Sequence, residues 1–177
     1  MKVDYSIFAT LLILLLTFAG AGATLEETCD KVTSPSSATN LTYDFCLTSL
    51  QPIQGSREVD IKGLAGITIN LSIYNFTYTR NKLGDLKSKE TKQPAIDALQ
   101  KCIDRFNEGD AYLKMAQTSL GTLRFSDALS SVRSAAGSSV VCDNAFYQRG
   151  IQSPVSFDTQ NGYLLCNLAA YLIQLVA

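Results

Sequence analysis

The chain has 177 residues, 15 lysines and arginines against 16 aspartates and glutamates, five cysteines and no histidine. A net charge of −1 excludes nucleic-acid binding by bulk charge, and the missing histidine removes the commonest general base and metal ligand near neutral pH.

Met1 to Ala23 read as a cleavable leader: Lys2, an apolar run from Ile7 to Phe18, then small residues ending Ala21-Gly22-Ala23. The run falls short of the roughly 20 apolar residues that span a bilayer, so a secreted chain with no membrane anchor after cleavage is expected. Residues 24–177 then form one domain, still with net charge −1 because the leader removes Lys2 and Asp4 together. Secretion makes three triplets candidate glycosylation acceptors: Asn40-Leu41-Thr42, Asn70-Leu71-Ser72 and Asn75-Phe76-Thr77.

Leu25–Val32 reads as a short helix with Glu26 and Glu27 at its start, and Leu41–Leu50 as a second that stops before Pro52. With one cysteine in each, the two suggest a clipped hairpin over residues 24–57. Val59–Leu83 is ambiguous. Ile67, Ile69, Leu71 and Ile73 alternate with Thr68, Asn70 and Ser72 as in a strand, whereas Leu64, Ile67, Leu71, Tyr74 and Tyr78 fall at helical spacings. The longer window selects helix. Asn70 and Asn75 would then flank its apolar stripe and be incompletely modified, with Asn40 the better acceptor.

Pro94–Leu120 is a clearer helix, carrying Ile96, Leu99, Ile103, Phe106, Leu113 and Leu120, interrupted by Gly109 at roughly 1 kcal/mol against alanine. Ser126–Tyr147 follows, with Ser126-Asp127 suited to its start, and Thr159–Val176 is the last. Four long segments with short connections predict an all-α, antiparallel up-down-up-down four-helix bundle over residues 58–177.

An oxidising compartment favours disulfides, and five cysteines leave one over. Counting leaves the connectivity open. Proximity favours Cys29–Cys46, while Cys102 and Cys142 lie on consecutive long segments that a bridge would tie together. Cys166, in the apolar run Tyr163–Leu168, reads as a small buried hydrophobe in preference to an intermolecular bridge.

The chain resembles the plant invertase and pectin methylesterase inhibitors. The residues that carry the resemblance are Glu27-Thr28-Cys29, Tyr43-Asp44-Phe45-Cys46-Leu47 followed by Ser49-Leu50, and the paired Cys102 and Cys142. Val141–Phe146 and Gly150–Val155 are similar to the stretch between the family's last two helices. The resemblance implies a helical hairpin on a four-helix bundle, with bridges Cys29–Cys46 and Cys102–Cys142. The long first loop, Asp30–Phe45, is like that of the subgroup called "putative invertase inhibitors", which includes pollen allergens.

Members that resemble cell-wall invertase inhibitors carry Pro-Lys-Phe between two bundle helices. The matching positions here are Leu123, Arg124 and Phe125, in Gly121-Thr122-Leu123-Arg124-Phe125. A glycosidase site holds paired carboxylates, and an arginine can engage a carboxylate bidentately. Arg124 is thus a charged anchor and Phe125 an apolar one, with Leu123 lacking the fixed φ of proline. The plainer reading is that Arg124 caps a loop and Phe125 packs beneath it. The partner implied is a plant acid invertase, bound by a monomer in the cell wall or vacuole. The alternative is a pectin methylesterase whose cleft the bundle helices cover; a further one is a secreted helical module with no enzyme target.

Nothing in the sequence suggests catalysis, a metal or a cofactor. No nucleophile–histidine pair can form, and Asp104 and Glu108, although spaced to share a helix face, read as a solvated pair.

Overall fold

In the computed structural model, residues 23–33 and 41–177 are described; the leader through Gly22 and the candidate acceptor Asn40 lie outside them. The first helix, α1 (Leu25–Val32), opens on a capping box: Glu27 N–H donates to Thr24 Oγ1 at 3.1 Å, and Thr24 N–H donates to Glu27 Oε2 at 2.9 Å. The second, α2 (Tyr43–Leu50), begins two residues later than the periodicity predicts because Thr42 takes the N-cap position and accepts from Phe45 N–H. The Cys29–Cys46 disulfide clips the pair into the expected hairpin.

Four long helices follow: α3 (Ile61–Lys89), α4 (Gln93–Gly121), α5 (Phe125–Tyr147) and α6 (Ser156–Gln174). Each packs on the next, and α6 closes the square by packing on α3. Tight connections at 90–92 and 122–124 force antiparallel neighbours, which gives the up-down-up-down bundle. The hairpin rests on it through α1 against α6 and α2 against α3, and Leu25, Val32, Leu41 and Leu50 join the bundle's core. An ion pair of 2.6 Å from Arg57 to Glu26 ties the following loop back to α1.

Helix α3 is where the sequence is least decisive, and its packing shows why. Its buried face carries Leu64, Thr68, Ile69, Ser72, Asn75, Phe76, Thr79 and Leu83, a stripe with helical spacing but several polar members. Three of those hydroxyls are satisfied within the helix: Thr68, Ser72 and Thr79 donate to the carbonyls of Leu64, Thr68 and Asn75 at 2.8, 2.9 and 2.8 Å. The stripe therefore differs from the one expected from apolar residues alone. Tyr74 and Tyr78 point outward, 72% and 52% exposed, and Ile67 and Leu71 are half-buried at the margins.

At the centre of the bundle the ring of Phe76 lies 4.7 Å from that of Phe106, tilted by 56°. It sits between two glycines on other helices. A Cβ on Gly109 of α4 would stand 2.9 Å from Phe76 Cδ1 and closer still to Cε1, and one on Gly162 of α6 would stand 3.1 Å from Cε2. Gly109 thus does not interrupt its helix; it makes room for the ring.

Cys102–Cys142 bridges α4 and α5, with a Cα–Cα distance of 4.4 Å. Cys166 is a free, fully buried thiol, and burial pushes its pKa up to about 12 despite the Ser72 hydroxyl beside it.

Candidate functional site

Residues 122–124 form the turn between α4 and α5, at the end of the bundle that also holds the start of α3. The turn is fastened by the last carbonyls of α4. Arg124 N–H donates to Ser119 O at 2.8 Å and Leu123 N–H to Leu120 O at 3.1 Å, the paired 6→1 and 5→2 bonds of a Schellman cap. Such a cap places its C′ residue in the left-handed region, and Leu123 duly has φ +59°. Glycine is usual there; a leucine carries a steric cost on the order of 1–2 kcal/mol.

The order that proline's fixed φ would give is supplied here by backbone hydrogen bonds. A proline at 123 would need φ near −65° and would lack the N–H that reaches Leu120. The backbone here is fixed by hydrogen bonds in a conformation that proline cannot adopt.

Arg124 is the N-cap residue of α5, and its side chain is 59% exposed. Its Nε donates to Thr122 Oγ1 at 3.2 Å, and its guanidinium stands 3.7 Å from Asp127. A surface pair of this kind contributes about 0–1 kcal/mol, so an incoming carboxylate can displace it. Leu123 is 58% exposed beside it, whereas Phe125 is half-buried and packs against the core. The exposed apolar side chain of the turn is therefore Leu123, and Phe125 lies beneath. Behind Arg124, a shallow cleft of about 300 Å³ is lined by Lys114, Met115, Thr118 and Ser119. Lys114 is held by Asp110 at 2.6 Å.

Two other grooves run along helix pairs. One of about 550 Å³ lies between α4 and α5, lined by Asp97, Lys101, Asp104 and Arg149 among others. Asp104 accepts from Gln100 and Glu108 pairs with Arg105 at 2.6 Å, so each carboxylate has its own surface partner. The second, of about 370 Å³, lies between α3 and α6, with Tyr74 and Tyr78 along it and Asp158 in its lining. Asp158 accepts from Lys82 at 2.8 Å, which raises the lysine's pKa. Exposure of these tyrosines is not legible in a pattern that scores every aromatic as core.

The three glycosylation candidates separate. Asn40 lies outside the described residues. Asn70 is exposed. Asn75 is not at the flank of the stripe: it is 7% exposed and turned toward α6, where its Oδ1 would meet a Cβ on Gly162 at 2.5 Å. That oxygen has no hydrogen-bond partner, and the residue also lines the groove between α3 and α6.

No group of three or more metal-ligating side chains occurs among the described residues, and no helix among them is long and apolar enough to cross a membrane.

Comparison with known proteins agrees with this architecture. Two proteins named "Putative invertase inhibitor" are similar in sequence. The one from Platanus acerifolia is 26% identical over 99% of this chain and 99% of its own length. The one from Platanus orientalis is 24% identical over 86% of this chain and 89% of its own. Among solved structures, a mutant form of a pectin methylesterase inhibitor from Arabidopsis superposes with a TM-score of 0.71 at 19% identity, over 86% of this chain and 97% of that one. A pectin methylesterase inhibitor from Arabidopsis thaliana gives 0.63 at 19%, over 86% and 95%. At that identity the likeness speaks to the fold, which is the hairpin-and-bundle arrangement. The family model described as plant invertase/pectin methylesterase inhibitor matches residues 23–173, and the chain belongs to that family of enzyme inhibitors.

Proposed function

We propose that the chain inhibits an acid invertase by inserting the α4–α5 turn into the enzyme's acidic sugar-binding site. The observation that carries this reading is the turn itself. A Schellman cap holds an exposed arginine, Arg124, next to an exposed leucine, Leu123, in one backbone conformation. A site built on paired carboxylates attracts a guanidinium and is blocked once the guanidinium is bound. Because the turn is ordered by backbone hydrogen bonds, little further ordering entropy is lost on binding. Leu123 supplies the apolar contact at the tip, and Phe125 anchors the turn to the core from below. The names of the two relatives similar in sequence support the same target.

The test is titration of the purified protein against an acid invertase and, in parallel, a plant pectin methylesterase. Invertase inhibition that weakens by about tenfold or more in Arg124→Glu is the expected result. Unchanged inhibition by that variant would remove the turn from the mechanism. Inhibition of the methylesterase alone would move the contact to the helix faces.

A further inference from the structure

Two of the candidate acceptors lie on α3, and the packing treats them in opposite ways. Asn75 faces α6, with its Oδ1 buried and unpaired next to Gly162 and Phe76. At 7% exposure it offers little room for a sugar beside α6. Asn70 faces solvent, and its Oδ1 accepts from Gln117 Nε2 of α4 at 2.7 Å. That bond turns the amide oxygen toward α4 and sends Nδ2 the other way.

Tyr74 stands on that other side. By the 3.6-residue period it lies about 40° around α3 from Asn70, away from α4. One turn apart on a helix, the two Cβ atoms are roughly 5–6 Å from each other. The ring of Tyr74 borders the groove between α3 and α6, on the side of α3 that Asn70 Nδ2 faces. The ring is 72% exposed, with Tyr78 one turn further along. An exposed aromatic side chain therefore stands one helical turn from the point where a sugar on Nδ2 would emerge.

We propose that Asn70 carries an N-linked glycan whose first N-acetylglucosamine packs its C–H face on the ring of Tyr74, while Asn75 is unmodified in the folded, secreted protein. The glycan donor is a lipid-pyrophosphate-linked oligosaccharide. A bond forms between Asn70 Nδ2 and C1 of the sugar, the C1–phosphate bond breaks, the lipid pyrophosphate leaves and the amide gives up one proton. That ring carries the glycan along α3 toward its C-terminal end, away from the turn at 122–124.

The experiment uses the full chain secreted from a plant host. Lys62 and Arg80 bound one tryptic peptide that holds both triplets, so cleavage after Tyr74 is needed to separate them. Glycopeptide mass spectrometry is expected to find the sugar on Asn70 and an unmodified Asn75; a bare Asn70, or sugar on Asn75, overturns the assignment. NMR of the glycosylated protein then reads the contact. The protons of the first N-acetylglucosamine should be shifted upfield by the ring in the wild type and in Tyr74→Phe, and return to free-sugar positions in Tyr74→Ala. Unshifted sugar protons in the wild type, with Asn70 occupied, overturn the stacking. Asn70→Gln, which removes the attachment and keeps an amide at that position, provides the folded control.

Discussion

Leu123 shows how much one residue's conformation decides. Its φ of +59° closes the Schellman cap of α4 and sets the direction in which Arg124 leaves the bundle. Replacement by proline removes the bond to Leu120, demands a φ of the opposite sign and disfavours the near-helical backbone of Thr122 before it. Leu123→Pro is expected to lower stability by about 2–3 kcal/mol in urea unfolding and to weaken inhibition, although proline is what the resembling invertase inhibitors carry. Leu123→Gly, which suits the left-handed region, should leave stability unchanged or raise it by up to about 1 kcal/mol. Exposure of the Leu123 side chain was hidden in the sequence for the same reason. A Thr-Leu-Arg-Phe run gives no sign that the leucine, and not the phenylalanine, faces outward.

Among the helices, α3 and its neighbours explain why local pattern and final structure diverged. Alternation of Ile67, Ile69, Leu71 and Ile73 resembles a strand because the residues between them are polar. In the bundle, Thr68 and Ser72 are buried, each with its hydroxyl returned to a carbonyl one turn back. A helix can satisfy such groups internally, so its core face need not be wholly apolar. The converse holds for Tyr74 and Tyr78, which lie at helical spacing from Leu71 yet outside the core. Glycines divide in a similar way. Gly109 is where the Phe76 ring must pass, whereas a Cβ on Gly137, midway along α5, would meet nothing within 4 Å. Gly137→Ala should therefore stabilise by about 0.4–1 kcal/mol, and Gly109→Ala should destabilise by roughly 1–3 kcal/mol through overpacking. Thermal unfolding of the two variants against the parent distinguishes them by sign.

Over the whole molecule, the disulfides divide the work between hairpin and bundle. Cys29–Cys46 closes a separation of 17 residues and Cys102–Cys142 one of 40. In the chain-entropy account these contribute about 3 and 4 kcal/mol by restricting the unfolded chain. Replacing Cys102 and Cys142 together by alanine should lower the unfolding free energy by roughly 2–4 kcal/mol, measured under conditions that leave the hairpin bridge intact. The free thiol of Cys166 is fully buried, which raises its pKa to about 12 and disfavours the thiolate that exchange requires.

By itself the sequence determined the class of this protein. Helical periodicity, short connections, the cysteine positions and the absence of histidine sufficed for an all-α hairpin and bundle without a histidine-based active centre. These are properties of spacing and composition, which survive without knowledge of neighbours. Tertiary structure alone decided what each surface residue can do. It buried Asn75 against Gly162, left Asn70 beside an exposed tyrosine, and turned Leu123 and Arg124 outward over a packed Phe125. Those outcomes depend on which helix stands opposite and on the hydrogen bonds of one turn, and neither is written in the order of the residues around them.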